Sequence, residues 1–306
     1  MRICIVGCGA VGSLFAANLA QLDDVEVWAY DLARDHVDTI NGKGLRLSGV
    51  AEVVGTVHAT THPQELPQCE LGIVATKAMH TSAAIAATAH AFATGAVASV
   101  QNGIGNEEAI AEYVEHVIRG TTFPAGSLLE PGHVQWDVKG DTTFGPFEPQ
   151  PAAFHDIERL AEACTRAGMP AASVPDARGP QWRKVIFNAA TNPLGALTRL
   201  THGRVCERSD LRALVTKLVD EGKAVAAAQQ IELDADPEEL IDHAARKDVA
   251  YDHKASMLQD VEARRQTEID YLNGGIVRVG GEHGVAVPLN AAIWALVKGL
   301  EASWTR

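Results

Sequence analysis

The stretch R-I-C-I-V-G-C-G-A-V-G at residues 2–12 decides the fold of the N-terminal part of this chain. Its first five residues predict a short buried strand, and the apolar spacing of residues 13–22 predicts a helix behind the glycines. A second apolar run at 25–30 ends in Asp31. Strand, G-x-G-x-x-G turn, helix, strand and acid are together typical of a dinucleotide-binding βαβ unit.

Each glycine of this turn has a predicted role. Gly7 permits a tight turn, Gly9 lets the backbone approach a pyrophosphate, and Gly12 lets the helix pack close to the strand. The pyrophosphate would lie at the helix N-terminus, where free N–H groups and the helix dipole favour an anion. The alternative is a turn with a structural role only. The predicted nucleotide contacts are Gly7, Cys8, Gly9, Ala10, Val11 and Gly12.

Asp31 indicates which nicotinamide cofactor the chain prefers. A carboxylate at the end of the second strand accepts hydrogen bonds from the ribose hydroxyls of NAD and repels the 2′-phosphate of NADP. We therefore predict NAD(H) over NADP(H), although Arg34 lies close enough in sequence to offset the repulsion. A second alternative is that Asp31 only caps the segment that follows it.

Length, charge and cysteine content narrow the class of protein. A chain of 306 residues suits two domains, and a net charge of -13 argues against partners such as nucleic acid or an anionic membrane. Five cysteines without C-x-x-C spacing predict reduced thiols in the cytoplasm. The apolar stretch 83–100 is mostly alanine, which favours a helix and a strand over a membrane span. The twelve histidines show no metal-ligand spacing, so no metal is predicted.

The remainder of the first half alternates apolar runs with helical stretches, which predicts a parallel sheet covered by helices. Lys77 and Asn102 fall at the ends of two predicted strands, beside the glycine turn. Such sheets bind ligands outside the carboxyl ends of their strands. The elements predicted here are strands at 71–77 and 96–100, a helix at 80–93, short antiparallel strands at 132–138 and 142–145, and a helix at 152–167.

Beyond Gln181 almost every segment predicts helix, and a proline-containing segment at 169–176 is a candidate linker. The predicted fold class is therefore α/β, with a Rossmann-type dinucleotide-binding domain over 1–175 followed by an all-α domain over 176–306. The predicted helices of the second half are 181–191, 209–229, 237–245, 254–280 and 289–304.

The segment W-R-K-V-I-F-N-A-A-T-N-P-L at 182–194 carries the second constellation of polar residues. Lys184, Asn188 and Asn192 recur every four residues and line one face of a helix, which Pro193 is expected to limit. Buried polar groups need partners, and a bound polar ligand would supply them. The alternative is a solvated lysine with two asparagines at a helix end.

These segments together resemble the ketopantoate reductases (2-dehydropantoate 2-reductases), and the resemblance runs along nearly the whole chain. That family reduces 2-dehydropantoate to (R)-pantoate with a nicotinamide cofactor, for pantothenate and coenzyme A synthesis, in a cleft between a Rossmann domain and a helical domain. The motifs that carry the resemblance are G-C-G-A-V-G at 7–12, Lys77, Q-N-G at 101–103, the 182–194 segment, S-M-L-Q-D at 256–260 and T-E-I-D-Y-L-N-G at 267–274.

The resemblance implies roles for individual residues. Lys184 would be the general acid, Asn188 and Asn192 would hold polar groups of the substrate, and Ser256 would contact its carboxylate end. Glu268 would lie near the nicotinamide amide and the reaction centre.

On the cofactor side, Lys77 and Asn102 would line the site, with Asn102 also near the substrate, and Gly126 would offer backbone contacts. Burial would lower the pKa of the Lys184 amine, whereas the nearby acids Glu268 and Asp260 would oppose that shift. A cation and proton donor aimed at the ketone oxygen stabilises the charge that develops as hydride arrives.

Several alternatives stay open at this stage. Many family members carry a basic residue near the position of Asp31 and use NADPH, and others are NAD-dependent dehydrogenases of branched or aromatic 2-hydroxy acids. Dehydrogenases of the β-hydroxyacid and 6-phosphogluconate types also use a helical K-x-x-x-N pattern. A non-catalytic NAD(H) sensor would explain the turn but not the polar face of the helix. The expected partner is a small 2-keto acid, and a homodimer is left open.

Overall fold

The structure is a computed structural model and describes residues 1–305. The chain divides into two compact units, one comprising 1–101 with 106–177 and the other comprising 102–105 with the chain from Arg178 on.

The strands all belong to the first unit, as far as residues 1–305 show. They are β1 (Arg2–Val6), β2 (Glu26–Tyr30), β3 (Leu45–Gly49), β4 (Val53–Gly55), β5 (His58–Thr60), β6 (Leu71–Val74), β7 (Ala96–Ser99), β8 (Val117–Thr122), β9 (Ala125–Glu130), β10 (His133–Val138), β11 (Thr142–Pro146) and β12 (Ala171–Ser173).

The α-helices occupy both units. They are α1 (Ala10–Leu19), α2 (Arg34–Lys43), α3 (Thr81–Thr88), α4 (Asn106–Ala111), α5 (Phe154–Arg166), α6 (Arg178–Thr198), α7 (His202–Glu207), α8 (Ser209–Ala228), α9 (Pro237–Ala244), α10 (Ser256–Glu262), α11 (Asn273–Glu282) and α12 (Pro288–Ala302). Short 3-10 helices lie at Pro63–Glu65, Ala78–His80, Ala89–Phe92 and Ser303–Thr305.

The main sheet has the strand order β12-β11-β8-β7-β6-β1-β2-β5 within the described residues. The strands from β8 to β5 pair in parallel, and β11 pairs antiparallel with β8. β1 is buried on both faces, because Ile3 and Ile5 join one apolar cluster while Cys4 and Val6 join another. This alternation follows from the two-residue period of a strand and confirms the predicted α/β sheet with helices on both faces.

A second sheet, with the order β4-β3-β10-β9, packs against α1. Leu45, Leu47, Val134 and Trp136 of this sheet join the same apolar cluster as Leu14 of α1. No strands are predicted from the sequence between residues 31 and 70, because strands this short give too few periods to be recognised. The two antiparallel strands predicted near 132–138 and 142–145 exist as β10 and β11, but they belong to different sheets and pair with β9 and β8.

The segment 169–176, the candidate linker, contains a strand that was not predicted. Residues 171–173 form β12, which pairs in parallel with β11 at the edge of the main sheet. The prolines that flank this strand, Pro170 and Pro175, are tolerated because an edge strand has backbone groups that need no ladder partner. The division predicted between residues 175 and 176 stays a prediction about domains.

The second unit is helical in residues 178–305, and its apolar cluster contains residues from α6, α8, α10, α11 and α12. The single helix predicted at 254–280 is wrong, because α10 ends at Glu262 and α11 begins at Asn273. Arg264 adopts a φ of 51°, and the Arg265 N–H donates to the Asp260 carbonyl at 2.8 Å. This hydrogen bond is typical of a Schellman motif, which ends a helix.

Pro193 does not end its helix, contrary to expectation, since α6 continues to Thr198. A proline removes the N–H that would bond the carbonyl four residues earlier, here that of Ala189. The Asn273 side chain donates to this carbonyl at 3.0 Å and replaces the missing bond. The helix therefore continues because a residue distant in sequence satisfies the backbone group that Pro193 leaves open.

None of the helices within residues 1–305 has the length and apolarity needed to cross a membrane.

Candidate active site

The glycine turn follows β1, and its backbone conformation and packing require glycine at two positions. Gly7 adopts a φ of 90°, and its N–H donates to the Tyr30 carbonyl of β2 at 2.8 Å. A Cβ added to Gly7 would lie 2.6 Å from Thr76 Cγ2, and one added to Gly12 would overlap the Gly7 carbonyl oxygen. The turn and α1 can therefore pack closely only without side chains at these two positions.

Gly9 differs from these two because a Cβ added there would meet no described atom within 4 Å. Gly9, Ala10 and Val11 are partly exposed, whereas Cys8 is buried. α1 begins at Ala10, directly behind Gly9. The exposed side of the turn therefore offers the first N–H groups of a helix to an anion, and this arrangement fits the pyrophosphate of a dinucleotide.

Asp31 holds the turn through its carboxylate. Oδ2 accepts the Cys8 N–H at 2.8 Å, and Oδ1 accepts the Ala33 N–H at 2.8 Å. The second bond resembles the local capping contact named as an alternative, and the first fixes the acid beside the glycines. Arg34 is exposed at the start of α2.

Lys77 follows β6, the neighbour of β1 in the main sheet, and is half-buried. The preceding residue, Thr76, packs against Gly7 and accepts hydrogen bonds from the Gln101 side chain at its carbonyl, 2.9 Å, and its hydroxyl, 3.0 Å. Gln101 follows β7, so its amide ties two neighbouring strand ends together. Lys77 therefore follows directly on a residue that packs against the glycine turn at the carboxyl edge of the sheet.

Gly126 lies in β9 of the second sheet. A Cβ there would lie 2.7 Å from the Gln135 carbonyl oxygen of β10. The close approach of the two strands therefore requires a glycine at this position for structural reasons alone. Its predicted contact with the cofactor stays a prediction.

In the helical unit, Lys184, Asn188 and Asn192 lie on one face of α6, as their spacing requires. Asn188 and Asn192 are each 7% exposed, so their amides lie at the edge of the packed interior. The Asn192 Oδ1 accepts from the Thr191 hydroxyl at 3.4 Å. The alternative of two helix-end asparagines is wrong, because α6 extends beyond both of them.

Lys184 lies within the electrostatic reach of Glu268. Burial lowers the pKa of the Lys184 amine to about 8, and the Glu268 carboxylate opposes this by favouring the charged form. Glu268 is buried, and its Oε2 accepts from the Asn102 side chain at 3.3 Å. The Lys184 ammonium, the Glu268 carboxylate and the Asn102 amide come from segments distant in sequence and therefore form one polar cluster in this unit.

Ser256 begins α10, which packs against α6, and its side chain is exposed. Asp260, on the same helix, is buried and accepts from the Arg265 guanidinium at 3.2 Å. The predicted contact of Ser256 with a substrate carboxylate stays a prediction.

Two functional candidates were missed from the sequence. Asn273 supports α6 at the Ala189 carbonyl, four residues before Pro193, and the signal for it was the carbonyl that any helical proline leaves without its usual donor. His36, which is 3% exposed, lies behind the glycine turn, and no feature of the sequence pointed to it.

Comparison with known proteins identifies the family. The family model described as ketopantoate reductase PanE/ApbA matches residues 3–149, and the model of the C-terminal region of that family matches residues 176–301. A 2-dehydropantoate 2-reductase of Pyrococcus abyssi is 35% identical over 305 residues, covering 99% of this chain and 98% of the relative. The corresponding enzyme of Archaeoglobus fulgidus is 34% identical, with 98% of each chain covered.

Solved structures agree with this family assignment. A PanE/ApbA family ketopantoate reductase from Ralstonia eutropha superposes with a TM-score of 0.89 at 30% identity, over 100% of both chains. A ternary structure of D-mandelate dehydrogenase with NADH and anilino(oxo)acetate superposes with a TM-score of 0.90 at 29% identity, also over 100% of both chains. The fold and site define an oxidoreductase with a Rossmann-type nucleotide domain. The chain belongs to the ketopantoate reductase family.

Proposed function

We propose that this protein reduces a 2-keto acid with a nicotinamide cofactor, and that the reaction is the reduction of 2-dehydropantoate to (R)-pantoate. The observation that carries the proposal is the Lys184 amine, whose pKa burial lowers to about 8 beside the Glu268 carboxylate. Curated relatives along the full chain are 2-dehydropantoate 2-reductases, which supports this substrate.

In the proposed division of labour, residues 1–175 bind the nucleotide and residues 176–306 bind the keto acid. The glycine turn fits a pyrophosphate, since its exposed side carries helix N–H groups and no side chain at Gly9. Asp31, with each carboxylate oxygen already accepting one bond, retains lone pairs for ribose hydroxyls. We propose that Lys77, Asn102 and Gly126 complete the cofactor side.

When bound, a reduced nicotinamide would supply the hydride for reduction of the keto carbon. Lys184 stabilises the negative charge that develops on the ketone oxygen and donates the proton that completes the alcohol. Asn188 and Asn192 orient polar groups of the substrate, and Ser256 binds its carboxylate. Glu268 keeps Lys184 protonated near neutral pH and, through its bond with Asn102, is itself held in place.

Asp31 supports a preference for NADH. Its carboxylate would repel a 2′-phosphate, and two solved structures similar to this chain are of D-mandelate dehydrogenase with NADH. We therefore propose NADH as the preferred reductant.

Initial rates of the purified protein test both parts of the proposal. Ketopantoate, 2-ketoisovalerate and benzoylformate are each assayed with NADH and with NADPH, and kcat/KM is compared across the six combinations. We expect ketopantoate with NADH to give the highest value. A preference for benzoylformate would instead indicate an aromatic 2-hydroxy acid dehydrogenase, and a preference for NADPH would contradict the role given to Asp31.

The variant Asp31→Ala separates cofactor choice from turnover. Loss of the carboxylate should lower kcat/KM with NADH and raise it with NADPH, because ribose hydrogen bonds are lost and phosphate repulsion is relieved. Asp38→Ala, an exposed acid on α2, is the matched control and should leave the ratio unchanged.

A further inference from the structure

His36 lies on α2 and is 3% exposed, which is unusual for a side chain that can carry charge. Its Nδ1 accepts the Gly132 N–H at 2.9 Å, so the proton of the neutral ring lies on Nε2. Gly132, with a φ of 74°, forms the turn between β9 and β10, and a Cβ there would lie 2.5 Å from Thr39 Cγ2 of α2. The ring is therefore fixed from one side by a closely packed turn.

The other ring nitrogen lacks a partner. Nε2 is buried and makes no hydrogen bond to any residue within 1–305. The Cys8 carbonyl and the Asp31 carboxylate both lie within electrostatic reach of the ring. A buried donor without an acceptor is costly, and such groups often mark a part of the structure that completes its bonds when a ligand binds.

The Cys8 carbonyl belongs to the peptide that joins Cys8 to Gly9. The Ser13 hydroxyl donates to this carbonyl at 2.9 Å, and the Cys8 N–H is held by Asp31. Because a trans peptide is planar, its C=O and N–H point in opposite directions. A donor that holds the Cys8 carbonyl inward therefore directs the Gly9 N–H outward, toward the open side of the turn.

We propose that His36 is a positioning residue for the nucleotide: its Nε2–H donates to the Cys8 carbonyl in the nucleotide-bound protein and so aims the Gly9 N–H at the pyrophosphate. This inference rests on the proposed function, since it needs a dinucleotide at the turn. Ser13 and His36 then share one carbonyl, which has lone pairs for both.

Two substitutions separate the two nitrogens of the ring. In His36→Asn the side-chain oxygen can still accept the Gly132 N–H, but no donor reaches toward Cys8. In His36→Gln the amide can place a donor near the position of Nε2, but the acceptor at the position of Nδ1 is lost. Binding of NADH is measured by calorimetry, and folding by thermal denaturation without nucleotide.

We expect His36→Asn to raise the Kd for NADH about fivefold, the effect of one neutral hydrogen bond. His36→Gln should keep the Kd within about twofold of the parent while lowering Tm more than His36→Asn does, since it releases the Gly132 turn. His155→Asn, a substitution at an exposed histidine of α5, is the control and should change neither quantity.

Nitrogen-15 NMR of the histidine side chains gives an independent readout. The parent should show His36 as the Nε2–H tautomer, and NADH should shift this proton downfield as it engages the carbonyl. An unchanged resonance, or an equal loss of NADH affinity in both variants, would overturn the proposal and leave His36 as a support for the β9–β10 turn. If the parent itself fails to bind NADH, the proposed function fails instead, which distinguishes the two outcomes.

Discussion

The glycine turn at 7–12 and the polar face of α6 prepare for a ligand in opposite ways. The turn depends on side chains that are absent, since a Cβ at Gly7 or Gly12 would collide with neighbouring atoms. The face of α6 depends on side chains that are present and that need partners from distant segments, such as Glu268 for Lys184. A site formed by the backbone is therefore determined by a few consecutive residues, whereas a site formed by side chains depends on residues from several segments of the unit.

Lys184→Ala should separate the functions of the two sites most strongly, because it removes the proposed acid and leaves the glycine turn intact. We expect kcat for keto acid reduction to fall about 10²–10⁴-fold, the usual contribution of a general acid, with the Kd for NADH changed little. Stopped-flow turnover and calorimetry on the same preparation measure both. Lys217→Ala, at an exposed lysine of α8, is the matched control. Near-normal turnover of the Lys184 variant would assign the acid elsewhere.

Gly12→Ala and Gly9→Ala should then separate packing from ligand binding within the turn. The first substitution drives a Cβ into the Gly7 carbonyl oxygen and should cost about 3 kcal/mol of stability, as overpacking does. The second adds a Cβ on the open side and should leave the free energy of unfolding nearly unchanged while weakening NADH binding. Urea denaturation and nucleotide titration give the two quantities. If Gly9→Ala binds NADH normally, the open side of the turn is not where the pyrophosphate lies.

Asn273→Ala tests how far the polar face of α6 relies on remote support. The variant leaves the Ala189 carbonyl without a donor, which should cost about 2 kcal/mol. Pro193→Ala restores a backbone N–H for that carbonyl, so Asn273→Ala should cost clearly less in the Pro193→Ala background. A double-mutant cycle of unfolding free energies measures this coupling. Equal costs in both backgrounds would show that the Asn273 bond does not replace the one removed by the proline.

These contrasts explain what the sequence could predict. β1, the glycines and Asp31 follow one another within a βαβ unit, so local pattern alone indicated the fold class and the proposed nucleotide site. The spacing of Lys184, Asn188 and Asn192 placed them on one face of a helix. The continuation of α6 past Pro193 could not be read locally, because the donor that permits it comes from Asn273.

The break between α10 and α11 was missed for a related reason. Arg264 adopts a left-handed φ, which is not expected for an arginine. Both the N–H and the hydroxyl of Thr267 donate to the Glu301 carboxylate, at 2.8 and 2.7 Å. The segment between α10 and α11 has an apolar pattern that favours a helix, but tertiary hydrogen bonds hold it in a non-helical conformation. Glu268 lies in this segment, so the same contacts that defeated the helix prediction place a carboxylate within reach of Lys184.

The pH dependence of turnover tests the electrostatic part of the side-chain site. Because Lys184 must be protonated to act as an acid, kcat/KM for reduction should be flat below its pKa of about 8 and fall about tenfold per pH unit above it. In the direction of alcohol oxidation the neutral amine acts as the base, so the rate should rise with pH and level off above the same value. Measuring pH profiles of both reactions on one enzyme preparation checks that the reduction rate falls and the oxidation rate rises with pH.

Glu268→Gln sharpens this last test. The carboxylate raises the pKa of Lys184 against the larger lowering by burial, so its removal should move the fall in reduction rate to lower pH. The amide retains the size of the side chain and an oxygen that can accept from Asn102. The maximal rate should drop as well, but only the displacement of the pH profile reports the charge. A profile that keeps its position would mean that Glu268 does not act on Lys184 through its charge, and the polar face of α6 would then be tuned by burial alone.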